Sequence, residues 1–191
     1  MKTKLHISLF AVLLFACGIF AQGPEAAANI AAQKEAMKAF APNFGIWRGQ
    51  AFTTLADGRK IEITQTERVG PFLDGSVMVI EGRGYDPKTG NVVFNAFGTM
   101  SFDPATKAYN LHSYAAGRVG DFPATATADG YVWQIAAGPA TIKYTISIKG
   151  GVWHEVGDRI MPGKDPARFF EMTLKRVGNT EWPAAGAVPM K

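Results

Sequence analysis

The chain has 191 residues, of which 47% are hydrophobic and 19% charged, and its formal net charge is +4. The length suits one domain with its own core, and the composition is that of a globular protein rather than a disordered one. So small a basic excess, without any basic cluster, argues against nucleic acid as a partner.

Residues 1–21 have the features of a secretory signal peptide. Lys2 and Lys4 supply the basic start, an apolar run follows over residues 5–15, and Ala21 is a small residue before the expected cleavage site. The run is shorter than the about 20 apolar residues of a membrane-spanning helix. We therefore expect a secreted or periplasmic protein of a bacterial envelope, without a membrane span.

Cys17 is the only cysteine and leaves a second processing route open. Together with Leu14, Phe15 and Ala16 it loosely resembles a lipoprotein processing box, which would leave a lipid anchor on Cys17. The bulky Phe15 counts against this route. After ordinary signal cleavage the mature chain has no cysteine, which excludes disulfides and thiol chemistry.

The segment before the first strand, residues 22–43, predicts a helix followed by a linker. Pro24 suits a first helical turn, and Ile30, Met37 and Phe40 fall on one narrow face that would dock on the body of the protein. The helix is either a lid over a barrel mouth or a terminal cap.

Strand-like alternation dominates the rest of the chain. In the segment ATIKYTISIKG, Ile142, Tyr144 and Ile146 share one face while Lys143 and Thr145 share the other, which is the period of a half-buried strand. Ten such strands are predicted, over residues 44–54, 60–69, 73–85, 92–102, 108–115, 122–126, 131–136, 141–149, 152–161 and 168–177. The prediction is an all-β, antiparallel up-and-down barrel over residues 44–178, with a β-sandwich as the alternative and a loose tail over residues 179–191 that Trp182 pins at its start.

Several motifs in this order resemble a known group of barrels. GIWRG stands at residues 45–49, GPFL at 70–73, Asp-Pro turns at 86–87 and 103–104, and FEMTLKRV at 170–177. The order resembles lipocalin-like (calycin) β-barrels, in particular a bacterial secreted family of that group to which no function has been assigned. The resemblance implies an up-and-down barrel with Trp47 plugging its closed end.

The layout is also similar to that of nitrobindin-type haem barrels, in which a histidine of the last strand ligates the iron. The corresponding stretch here, ARFFEMTLKRV, contains no histidine. Met172 is a residue type that can ligate iron, but a core methionine usually serves packing. We therefore expect no haem and no other cofactor.

Glu67 is the sharpest candidate for a functional residue. In KIEITQTERVG the residues Ile61, Ile63, Gln65 and Glu67 share a face, and the two isoleucines predict that this face points inward. A buried carboxylate needs a partner or a raised pKa, which marks a candidate site. Alternatively, a bulge turns Glu67 outward toward Arg68.

If Glu67 is inside, its natural partners are Arg118, His112 and Tyr114. Arg118 belongs to a small-residue segment, residues 114–121, that we predict to be a mobile mouth loop in which the guanidinium meets an anionic head group. Two histidines on separate strands give no recognisable metal spacing, so we expect no metal site.

His154 is the second candidate acid/base. Alternation sets Val152, His154 and Val156 on one face and Trp153 with Glu155 on the other. If the valine face is inside, His154 points into the cavity, where it can act as a general base near neutral pH. The alternative places His154 near the rim with an ordinary hydrogen bond.

The sequence thus leaves three functions open. The first is noncatalytic binding of a small apolar or amphipathic molecule; the second is an enzyme that uses Glu67 or His154 as acid/base; the third is a structural or partner-binding protein with a filled barrel. The predicted ligand-binding residues are Trp47, Glu67, Phe97, His112, Tyr114, Arg118, Trp133, Trp153 and His154.

Overall fold

The structure, a computed structural model, describes residues 23–182, so the predicted signal peptide, Cys17 and the end of the tail lie outside the described residues. One α-helix, α1 (Pro24–Met37), and a 3-10 turn (Lys38–Asn43) precede ten strands. The strands are β1 (Gly45–Thr54), β2 (Lys60–Phe72), β3 (Val77–Tyr85), β4 (Val92–Asp103), β5 (Ala108–Ala115), β6 (Arg118–Thr127), β7 (Gly130–Ala137), β8 (Ala140–Lys149), β9 (Val152–Ile160) and β10 (Ala167–Gly178).

Each strand pairs antiparallel with the next along the chain, and β1 pairs with β10, so the sheet closes into a barrel. The predicted up-and-down barrel of ten strands with an N-terminal helix is therefore confirmed, and the sandwich alternative is wrong. The inward-facing side chains of β8 include Tyr144, Ile146 and Ile148, as the period of two predicted.

The helix covers one end of the barrel. Met37 and Phe40 are buried, and the ring of Phe40 enters the barrel end with its centroid 5.1 Å from that of Tyr109 and 5.4 Å from that of Tyr131. The Tyr109 hydroxyl donates a hydrogen bond to the carbonyl of Ala36. Since the same end holds Trp47, the segment is a cap of the closed end, and the lid over the mouth is not observed. None of the helices within residues 23–182 combines the length and apolar composition that a membrane crossing requires.

Two strand boundaries differ from those predicted. β2 runs on to Phe72, and the short 3-10 turn Leu73–Gly75 separates it from β3. β6 begins already at Arg118, so the predicted mobile loop over residues 114–121 is instead a tight hairpin whose two turn residues, Ala116 and Gly117, have positive φ. The predicted lengths of β2 and β6 were too short because Gly, Pro and Ala weaken the apolar pattern at the ends of these strands.

The half of the barrel next to the cap, which we call the closed half, is filled by large side chains. They meet at its centre, where the rings of Trp47 and Trp153 lie edge to face with centroids 5.7 Å apart. The Trp47 indole donates to the Asn43 carbonyl at 2.8 Å, which ties the cap to the plug. The other members of this core include Val69, Met78, Met100, Ile146 and Leu174, each at most 1% exposed.

The chain leaves β10 and crosses the outer face of β2. Thr180 donates its hydroxyl to the Val69 carbonyl, the Trp182 ring packs edge to face on Phe72, and the Arg68 guanidinium lies 3.8 Å from the centre of the Trp182 ring. Trp182 therefore holds the start of the tail against the barrel, as the sequence predicted.

Candidate functional site

The half of the barrel away from the cap, which we call the open half, is built differently. Several of its inward-facing side chains are only partly buried. These partly exposed inward residues include Ile63, Phe94, Ser113, Phe122, Trp133 and Tyr144. The open half is therefore less completely filled than the centre of the closed half, and we call its interior the lumen.

An aromatic wall lines one side of this lumen, formed by Phe122, Trp133, Tyr144 and Phe170. The Trp133 and Tyr144 rings are stacked, 4.3 Å apart and 9° from parallel. Phe122 lies 5.5 Å from Trp133, and Phe170 lies 5.9 Å from Tyr144. Gly157 of β9 makes this contact possible, since a Cβ there would lie 3.0 Å from both Tyr144 and Phe170.

A wall of small residues faces the aromatic wall. It consists of Gly82, Ala96, Gly98, Ser113 and Gly120, which are paired across β3, β4, β5 and β6. In the ring of ten strands, β3 lies diametrically opposite β8, which carries Tyr144. The side opposite the rings therefore carries little side-chain bulk of its own, and the Glu67 carboxyl group and the Leu111 side chain lie over its glycines.

Two buried polar side chains, Gln65 and Glu67, stand on β2 where the open half meets the closed half. The Gln65 amide donates to Glu67 Oε1 at 2.7 Å, and Glu67 is only 8% exposed. Gly82 on the paired strand makes room for the carboxyl group, because a Cβ there would lie 2.8 Å from Glu67 Oε1. Burial, opposed in part by the Gln65 hydrogen bond and reinforced by the charges of Glu155 and Glu81, raises the pKa of Glu67 to about 8.

Glu155 of β9 also points inward and is partly buried. The Trp153 indole donates to Glu155 Oε2 at 3.3 Å, and burial raises the pKa of this carboxyl group to about 7. Tyr131 lies close enough to feel both acids: burial raises the pKa of its hydroxyl well above the usual range, and Glu155 and Glu67 add to the shift. Burial likewise raises the pKa of Tyr144 to about 12, with a further contribution from Glu155.

We call Gln65, Glu67, Tyr131 and Glu155 the polar floor of the lumen. Because burial raises both pKa values toward or above neutrality, either carboxyl group can hold a proton near neutral pH and donate a hydrogen bond in that form. Two acids with pKa values near 7 can bind a polar group or transfer a proton at that pH.

The sequence prediction that Glu67 points inward agrees with the structure, and the outward bulge toward Arg68 is wrong. Arg68 instead pairs with Glu81 on the outer face, with 2.9 Å between Arg68 Nη2 and Glu81 Oε2. The partners predicted for Glu67 are wrong as well, because His112 and Tyr114 lie on the outer face of β5 while Leu111 and Ser113 take the inner one.

The prediction that His154 points into the cavity is also wrong. His154 lies on the outer face of β9, where its Nε2 atom is 3.2 Å from Glu171 Oε1. The larger Trp153 takes the inward position, which puts Glu155 inside with it. Glu155 and Tyr131 were therefore missed, and the size of Trp153 against the two valines was the signal that could have found Glu155.

Four predicted ligand-binding residues gather on the outer surface. Phe97 and Tyr114 have ring centroids 6.3 Å apart, and with the exposed Arg118 they line an open groove of about 640 Å³. His112 lies beside Tyr114 and pairs with Asp121, with 2.8 Å between Nδ1 and Oδ1. Of the nine predicted residues, Trp47, Glu67, Trp133 and Trp153 face the interior.

Metal-ligating side chains do not converge in the part of the chain that the structure describes: no group of three or more His, Cys, Asp or Glu residues there could hold a metal ion. Met172 of β10, the remaining candidate iron ligand from the sequence, is 3% exposed and belongs to the core of the closed half.

Sequence comparisons find no match: no protein-family model fits the chain, and no curated protein is significantly similar to it. Solved structures do match. Rv2717c from M. tuberculosis superposes with a TM-score of 0.57 at 12% identity, covering 74% of this chain and 97% of its own. The S-type phycobiliprotein lyase CPES from Guillardia theta superposes with a TM-score of 0.51 at 12% identity, covering 76% of this chain and 93% of its own.

At this identity the likeness concerns the fold alone. Both neighbours are covered over almost their whole length. The shared architecture is an antiparallel ten-strand barrel, and it fits the lipocalin-like (calycin) type that the sequence motifs predicted.

Proposed function

We propose that the protein is a secreted or periplasmic barrel that binds a small apolar or amphipathic molecule in its open half. The observation that carries the proposal is the aromatic wall, whose rings face inward and yet remain partly exposed to solvent. Rings of this size bury a large apolar area when a ligand covers them, and apolar burial is the main driving force of such binding.

The aromatic wall favours a ligand with a flat, ring-bearing body. Such a body would stack on the partly exposed rings Phe122, Trp133 and Tyr144 and bury more of their surface. The polar floor lies at the inner end of the lumen, so a ligand with one polar end would place that end against Glu67 and Glu155. Similarity to a phycobiliprotein lyase is in keeping with a barrel that handles a small molecule, but it does not specify the ligand.

Intact mass measurement tests the proposal. The protein is purified without added ligand from the envelope fraction of its source, and its native and denatured masses are compared. We expect extra noncovalent mass in the native spectrum. The denatured mass also tests the secretory prediction. If the signal segment is removed, the mass corresponds to a chain that begins at Gln22 or at a lipidated Cys17.

Two matched variants locate the binding site. Trp133→Ala removes the centre of the aromatic wall, and we expect it to lose the extra mass. Phe97→Ala removes a ring that is 42% exposed in the outer groove, and we expect it to keep the mass. Loss in Phe97→Ala with retention in Trp133→Ala would move the site to the outer surface, and a bare native mass in the unmodified protein would argue against a carrier.

A second candidate function is an enzyme that uses acid/base chemistry on the bound molecule. The raised pKa values of Glu67 and Glu155, two acids on one floor, favour it. His154 no longer supports this function, because it faces away from the lumen. Chemical change of the co-purified molecule on incubation, lost in Glu67→Gln with binding retained, would support catalysis, whereas an unchanged molecule would contradict it.

A further inference from the structure

We propose that the polar floor recognises a positively charged nitrogen, so that the ligand is a flat organic cation whose charged end lies between Glu67 and Glu155. This inference rests on the proposed function, because it assigns the polar end of the molecule that the lumen binds.

The first argument is the missing counter-charge. Within residues 23–182, Gln65 is the sole hydrogen-bond donor to Glu67, and the Trp153 indole is the sole donor to Glu155. Both donors are neutral. No Lys, Arg or His of this part of the chain forms an ion pair with either acid. A carboxylate in an apolar surrounding is costly without a cationic partner, and a positively charged ligand would supply one.

The second argument is the Tyr131 hydroxyl group. Tyr131 is 3% exposed, and the charges of Glu155 and Glu67 both act on its hydroxyl. The hydroxyl is therefore within electrostatic reach of both acids. An ammonium group has three donors, which matches two carboxyl groups and one phenol oxygen that can accept.

The third argument is the wall above the floor. Trp133 and Tyr144 are stacked on each other and offer apolar contact to the body of the ligand. The opposite wall carries Gly82, Gly98 and Ser113, which add no charge. The acids of the floor are therefore the charged groups at this depth, and a cation would gain more from them than an anion.

Proton release accompanies the binding that we propose. The titratable groups that face the floor are Glu67 on β2, Tyr131 on β7, Tyr144 on β8 and Glu155 on β9, and Glu81 on the outer face of β3 acts on Glu67 through its charge. A bound cation favours the ionised form of both acids. At pH 7 the free protein holds protons on them, so binding releases up to about one proton per ligand.

Three naphthalene probes of the same size test the charge preference: naphthylmethylammonium, naphthylmethanol and naphthoate. Calorimetric titration of the mature protein at pH 7, in two buffers of different ionisation enthalpy, gives the affinity and the protons released. We expect the cation to bind at least about tenfold more tightly than the alcohol, the anion to bind most weakly, and only the cation to release a proton.

Variants identify the groups responsible. The double variant Glu67→Gln/Glu155→Gln keeps the shape of the floor, and we expect it to bind cation and alcohol equally, without proton release. Glu171→Gln, which alters an outer carboxylate beside His154, should retain the tenfold preference. The Gln variants remove buried acids rather than core contacts, and the thermal transition of each confirms that it is folded.

The outcomes separate the two proposals. Equal binding of cation and alcohol, or tighter binding of the anion, overturns the cation proposal while the binding function stands. A preference that persists in the double Gln variant also overturns it, because the charge would then be recognised elsewhere. If none of the three probes binds, the cation proposal fails, and the comparison of native and denatured mass decides the binding function separately.

Discussion

The closed and open halves of the barrel are formed by the same ten strands but differ in how far their inward side chains are buried. In the closed half, Trp47, Trp153 and their neighbours exclude solvent completely. In the open half, equally large rings such as Trp133 and Tyr144 point inward and stay partly wet. The difference arises on the facing strands, where Met78 and Met100 fill the closed half and glycines or Ser113 stand in the open half. Ring content alone therefore does not distinguish a core from a binding site; the residues opposite the rings do.

The largest expected effect is in the plug of the closed half. Trp47→Ala removes a fully buried ring that packs on Trp153 and donates to the Asn43 carbonyl. We expect the free energy of unfolding to fall by about 4 kcal/mol, measured by urea titration. A loss below about 1 kcal/mol would mean that the closed half is not the stabilising core.

At the boundary between the halves, Glu67→Gln should raise the free energy of unfolding by an amount that depends on pH. The pKa of Glu67 rises from 4.5 to about 8 on folding. Between these values the folded protein keeps a proton that the unfolded chain releases, so the free energy of unfolding falls as pH rises through this window. Glu67→Gln should remove the effect and stabilise the protein at pH 8 by on the order of 3 kcal/mol, but by less than about 1 kcal/mol at pH 5.

Thermal unfolding at both pH values measures this gain, with Glu62→Gln as the control. Glu62 lies on the outer face of the same strand, where it accepts a hydrogen bond from Gln50. An equal effect of Glu67→Gln at pH 5 and pH 8 would contradict a buried, proton-holding carboxyl group.

A pair of enlarging substitutions compares the free space at a packed position and at a partly exposed inward position. Ala51 is 1% exposed and belongs to the buried core, so Ala51→Leu overfills that core and should cost about 2 kcal/mol. Ser113→Leu places the same side chain in the lumen and should change stability by less than about 1 kcal/mol while weakening ligand binding. Urea titration of both variants gives the contrast, and equal costs would show that the open half is as filled as the closed one.

The smallest expected effect is at His154. Its ring lies on the outer surface against Glu171, so His154→Ala should change the free energy of unfolding by no more than about 0.5 kcal/mol. Ligand binding, followed by calorimetry, should be unchanged. A loss of binding would show that the ligand reaches the outer face of β9.

The fold was predictable because alternation is a local property of the chain. The alternation of Ile142, Tyr144 and Ile146 predicts a strand from local sequence alone. In the same way, the inward isoleucines of β2 correctly predict that Glu67 points into the barrel. β6 was read too short for a related reason: its inward residues are Gly120, Phe122, Ala124 and Ala126, and small side chains that leave the lumen open give little apolar signal.

The site was less predictable because it depends on which side chains meet across the barrel. On β9 both faces carry apolar residues, and alternation alone could not choose between Val152 and Trp153 as the inward one. Choosing Val152 as the inward residue predicted that His154 points inward and Glu155 outward, which is the reverse of the observed orientation. The hydrogen-bond partner of Glu67, Gln65, lies on the same strand, but Glu155 comes from β9, three places away in the ring, and no local pattern encodes that arrangement.

The pairing of β1 with β10 has a kinetic consequence. These strands are the first and the last of the sheet, so the barrel closes only when the whole chain is available, and Trp47 then pairs with Arg176 across the seam. Contacts so distant in sequence make folding slow. Until the seam forms, the aromatic and small-residue walls do not face each other and the lumen does not exist. A ligand of the lumen should therefore leave the folding rate unchanged. It should lower the unfolding rate, because it slows the separation of β1 from β10.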